Sequence, residues 1–158
     1  MHSSSALLLA FAVGIVAGLR SMTAPAVTAV AAHLGRLNLQ NSALAFMGSK
    51  WAAGIFTLAA LGELVADKLP MTPARIKPGP LAARIVMGGL CGACIVVATD
   101  GVAWIGAVIG GVGAFVGAFA GYRARTGLVR SLQVRDALVA VAEDLIALAL
   151  GVVSVTRI

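Results

Sequence analysis

Four places in this chain combine residue types that could do chemistry. The stretch "GLRSMTAPA" (18–26) sets Arg20, Ser21, Thr23 and a proline into an otherwise apolar run. Glu63 and Asp67 stand four apart, on one face of a helix. Glu143 and Asp144 are adjacent, about 100° apart around a helix. Cys91 and Cys94 spell "CGAC". An arginine beside two hydroxyls, at the start of a new helix with free backbone N–H groups, is suited to an anionic group. Paired carboxylates are suited to a cation or to proton relay, since like charges at that spacing repel unless a positive charge lies between them. Lys68, Arg84, Arg20 or a bound ion could supply it.

The elements that must position these residues are set by composition. The chain has 158 residues, 60% of them hydrophobic and 11% charged, with a mean hydropathy of +1.01. These values lie far from a soluble domain and predict a polytopic membrane protein of one helical domain spanning 1–158. The net charge of +6 does not indicate nucleic acid, because the basic residues cluster in short connections between apolar runs, where they orient helices. The apolar run Ala6–Gly18 is expected to be a membrane helix rather than a secretory signal, since no Lys or Arg precedes it and Arg20 follows.

About 20 residues cross the hydrocarbon core. On that measure the apolar runs give segments over about Ser5–Leu19, 23–35, Asn41–Asp67, Leu81–Thr99, Val102–Tyr122 and Asp136–Val155. Thr23 is the expected N-cap of the second, with Pro25 in its first turn. The connection 68–80 carries four of the five prolines, Asp100 and Gly101 form a tight turn, and 123–135 is a basic link. Arg20, Lys68, Arg75, Lys77, Arg84 and the four arginines of 123–135 fall on one side; Arg36, Lys50 and Arg157 fall on the other. The positive-inside rule therefore puts both termini outside if 23–35 crosses, giving six spans. If that segment dips in and returns, there are five and the N-terminus lies inside. The expected fold is thus an all-α membrane bundle of five to six segments with a break after the first helix. Six segments divide into a 3+3 inverted repeat, an arrangement many small transporters use.

"GLRSMTAPA", "GELVADKLPMTPARIKPGPLAARI", "GAFVGAFAGYRART" and "ALVAVAEDLIAL" together resemble the small bacterial membrane proteins grouped as domain-of-unknown-function family 4126. The likeness covers nearly the whole chain. It implies a multi-pass protein of the bacterial inner membrane and transfers no catalytic residues.

Ionisable residues within membrane segments are costly and are functional by default. Asp144 has Ala137, Ala140, Ala147, Leu148 and Gly151 as helical neighbours, a mostly small face that points it into the bundle. Arg20 lies toward the same end as Glu63, Asp67, Glu143 and Asp144. Arg20, Ser21, Thr23 and those four acids are the candidate substrate-binding or gating residues. The opposing reading is an ordinary turn, with the carboxylates in structural ion pairs. Gly106 and Gly110, and Gly113, Gly117 and Gly121, recur every four residues and read as helix-packing faces, within the bundle or at a homodimer seam.

Cys91 and Cys94 read as small packing residues, since no second cysteine pair accompanies them. His2 and His33 are too isolated for a metal site. No P-loop, HExxH helix or nucleophile elbow is present, so neither cofactor nor hydrolytic chemistry is expected. Two functional classes follow. One is a small permease or channel-like protein for an ion or small solute, working as a homo-oligomer in the lipid bilayer. The other is a non-transporting assembly protein that packs through its glycine faces.

Overall fold

A run of apolar residues with few charges satisfies its backbone internally, and the described residues do so mainly with helices. The computed structural model describes residues 3–66, 77–132 and 136–157. Six α-helices follow one another: α1 (Ser3–Leu19), α2 (Thr23–His33), α3 (Lys50–Ala66), α4 (Pro78–Val97), α5 (Ala103–Leu132) and α6 (Asp136–Thr156), with a 3-10 turn at Ala45–Gly48. There is no strand among the described residues.

Helices α1, α4 and α5 form the tightest part of the bundle. They approach closely because glycine faces glycine. A Cβ on Gly110 would collide with the backbone of Gly88, and one on Gly88 with Gly110 and Ala114. Gly106 meets Gly92 of α4, whereas Gly113 and Gly117 meet Phe11, Gly14 and Ile15 of α1. Four of the glycines spaced along α5 therefore pack inside the chain, two against each neighbour; Gly121 is buried. Helix α2 lies against α1, α4 and α6, and α3 packs chiefly on α2. The small face of α6 turns inward, with Ala147 fully buried and Gly151 opposite Val16 and Val27.

Local boundaries differ from the sequence expectations in three places. The third segment does not begin at Asn41. Residues 41–48 form turns and the 3-10 element, and α3 starts at Lys50 because Ser49 is extended (ψ 147°) and its Oγ accepts the Ala52 N–H at 3.1 Å. Helix α4 opens with Pro78 and Pro80 in its first turn rather than at Leu81. Helix α5 continues through most of the basic link to Leu132, since "RARTGLVRSL" contains good helix formers and no proline.

The turns are closed by left-handed residues. Gly35 (φ 75°) ends α2, with its N–H on Ala32 O and the Arg36 N–H on Ala31 O at 2.9 Å, a Schellman closure. Asp100 (φ 58°) plays the corresponding part after α4, one residue before Gly101.

The outer surface is unusually apolar. Trp51, Ile55, Leu58, Leu61 and Val65 of α3 are exposed, as are Leu145, Leu148 and Val152 of α6 and Trp104, Val108 and Val112 of α5. Pro78–Val97 and Ala103–Leu128 are each long and apolar enough to cross a membrane.

Candidate functional site

The break between α1 and α2 leaves two sets of backbone groups without helical partners: the last carbonyls of α1 and the first N–H groups of α2. Side chains from two other helices meet them, and a third helix holds the arginine between them. From α4, Arg84 Nη1 donates to the carbonyls of Gly18 at 2.9 Å and Leu19 at 2.8 Å. From α3, Glu63 accepts the Ser21 N–H at 2.9 Å and the Ser21 hydroxyl at 2.7 Å on Oε1, and the Met22 N–H at 2.9 Å on Oε2. Arg84 Nη2 lies 3.7 Å from Glu63 Oε1, so the two capping residues also attract one another. From α6, Asp144 pairs with Arg20, the first residue of the break.

Each sign suits the helix end it meets. A carboxylate at the N-terminus of α2 and a cation at the C-terminus of α1 both oppose the local partial charge of the peptide dipoles. Arg20 is 1% exposed and Arg84 5%, so these are buried charges held by charged or strongly polar partners. Thr23 is not the N-cap expected from sequence. The N-cap position of α2 is Met22, whose side chain forms no cap, and Glu63 of another helix accepts the N–H of Met22 and of Ser21 before it.

Of the sequence candidates, the structure brings Arg20, Ser21, Glu63 and Asp144 into one junction. Thr23 is buried beside it. Glu143 is half-buried on α6, and Asp67 lies outside the described residues. Arg84 was named in the sequence only as one of several counter-charges for Glu63, yet it completes α1. An arginine amid "PLAARIVMGG" with no acid within four positions is the sequence signal of a cation whose partner is elsewhere in the fold.

Beside the junction a groove of about 680 Å³ runs between α2, α3 and α6. Arg20, Thr23 and Asp144 line one end, and Arg36 and Thr156 the other. Val27, Val30, Leu61, Leu64, Leu145 and Leu148 supply apolar walls. Asp144 is 17% exposed in its side chain, so the ion pair borders this space rather than being sealed from it. Cys91 and Cys94 are buried free thiols on α4. Among the described residues no group of three or more His, Cys, Asp or Glu side chains could hold a metal ion.

The fold and the junction together define a small all-helical protein whose first helix is interrupted and whose open helix ends are closed from α3 and α4. Residues 7–157 match the family described as a domain of unknown function, DUF4126, and the chain belongs to that family. No curated protein and no solved structure matches it.

Proposed function

We propose that the protein is a multi-pass protein of the bacterial inner membrane that acts as a small permease or channel-like protein for an ion or small solute. Membrane residence is supported by the exposed apolar faces of α3, α5 and α6 and by the two long apolar helices. Trp104 and Tyr122, both on α5 and both exposed, are separated by about 27 Å of helix at 1.5 Å per residue. That is close to the ~30 Å hydrocarbon thickness, with aromatic residues at both boundaries as in interfacial belts. The arginines after Tyr122 would then extend into the cytoplasm. On this reading the helices form five or six crossings, and six would divide into a 3+3 inverted repeat.

The observation that carries transport is the Arg20–Asp144 pair at the end of an open groove, beside an interrupted helix. Many transporters bind their solutes at discontinuous helices, where half-helix ends face the site. Thermal unfolding of the detergent-purified protein against ions, organic acids and cationic metabolites would find a ligand, followed by flux in liposomes. Asp144→Asn and Arg20→Gln are expected to remove binding and flux while the protein remains folded.

One observation favours a non-transporting assembly protein instead: Glu63 and Arg84 are engaged with backbone of the break, a structural task. Because Gly106, Gly110, Gly113 and Gly117 face α1 and α4 of the same chain, a homo-oligomer would use another surface, such as the outer face of α3. If Asp144→Asn and Arg20→Gln both collapse or change oligomeric state, and no ligand stabilises the wild type, the assembly reading replaces transport.

A further inference from the structure

We infer that the groove between α2, α3 and α6 is a binding site for one acyl chain of an anionic phospholipid, with the phosphate at the Arg36 end. The inference rests on membrane residence as proposed above, and not on transport.

The groove has the form of a tail site. Its walls are almost wholly apolar, and its 680 Å³ lies within the range of small-molecule pockets. It follows α6 from Val141 to Thr156, about 22 Å at 1.5 Å per residue. It lies open between α3, which packs chiefly on α2, and α6, which packs on α1 and α2. A chain can therefore enter sideways while the rest of the lipid stays in the bilayer. One leaflet's share of the ~30 Å core is about 15 Å. A tail entering at the Arg36 end thus stops short of Arg20 and Asp144, about 18 Å from Thr156 along α6.

Apolar walls alone give no selectivity, because lipid tails are as apolar as leucine. Discrimination must come from the head, and the charges at that end are lopsided. Arg36 lines the groove, held at its mouth by the Gly35 closure of α2. Arg157 follows Thr156 on the opposite rim, and both arginines are exposed. The carboxylates Glu63 and Asp144 belong to the other end, where they meet the α1–α2 break. A phosphate with a net negative charge complements this mouth; a zwitterionic head does so less well.

The test is lipid binding to the full chain in detergent, titrated with dioleoyl phosphatidylglycerol or dioleoyl phosphatidylcholine and read by native mass spectrometry. Two arginines near the surface should favour the anionic lipid by roughly 25-fold at low ionic strength, about five-fold for each. Arg36→Gln and Arg157→Gln should each reduce that preference about five-fold. Leu61→Trp and Leu148→Trp narrow the groove from exposed positions on its two sides, so that folding is spared. Both should lower occupancy by the anionic lipid while leaving the melting temperature near that of the wild type. Equal binding of the two lipids, or unchanged binding in both tryptophan variants, would overturn the inference. Flux is scored separately in liposomes. Lipid preference without flux supports this site and removes transport; flux without lipid preference removes this site and leaves transport standing.

Discussion

The carboxylate of Glu63 accepts the backbone N–H of Met22 at 2.9 Å, so that α3 closes a helix end that belongs to α2. In a capping box the N-cap N–H is taken by a Glu or Gln three residues into the same helix. Here the residue at that position of α2 is Pro25, and the acceptor arrives from the last turn of another helix.

Glu63→Ala is expected to destabilise the folded protein by about 2–4 kcal/mol, since it leaves the Ser21 and Met22 amides part-buried without their acceptor. Glu63→Gln keeps one carbonyl oxygen and should cost about half as much. Denaturant titration in detergent measures both. An alanine variant as stable as the wild type would mean that the carboxylate is dispensable to the break.

The Arg20–Asp144 pair calls for a double-mutant cycle. Removing one partner strands the other charge, and Arg20→Met or Asp144→Leu alone should cost about 3 kcal/mol. The double variant should recover most of that loss, because two apolar residues leave no charge uncompensated. Additive losses would show that the two side chains are not energetically coupled.

Arg84 tests the other side of the break. Arg84→Met removes charge-assisted hydrogen bonds to Gly18 O and Leu19 O, at a cost of about 3 kcal/mol. Lysine retains the charge but not the planar fork, so Arg84→Lys should fall between methionine and wild type. Hydrogen exchange should rise at residues 18–22 in both variants before it rises in α5. Uniform acceleration along the chain would argue that Arg84 acts on global stability alone.

Two glycine substitutions should act in opposite directions. A Cβ at Gly110 collides with Gly88 backbone across the tightest helix contact, so Gly110→Ala should cost about 3 kcal/mol, the upper part of the usual range for overpacking. A Cβ at Gly54 meets nothing within 4 Å, and Gly54→Ala on helical α3 should gain up to about 1 kcal/mol. A Gly54→Ala variant that lost stability or altered oligomer mass would reveal a second copy packed on that face.

Much of this arrangement was legible in the sequence. An arginine and a proline inside an apolar run marked the end of α1 and the start of α2, because neither continues a buried helix without a partner. Asp144 read inward from the small residues around it. The start of α3 was not legible: "SALAFMGS" is as apolar as a helix, and the signal lay in one hydroxyl, Ser49, turned onto Ala52. The task of Arg84 was hidden for a deeper reason. Its hydrogen-bond acceptors are backbone carbonyls, which every residue possesses, so no side-chain pattern betrays them. The extension of α5 past Tyr122 was missed because charge marks a change of environment and not an end of helix.

The cross-helix closure of the break also bears on the order in which the protein can be made. The ribosome releases α1 and α2 well before the residues that close their ends. Without Glu63 and Arg84 in place, the amides of Ser21 and Met22 and the carbonyls of Gly18 and Leu19 lack these partners. The closure of the α1–α2 break therefore depends on residues up to 66 positions later in the chain.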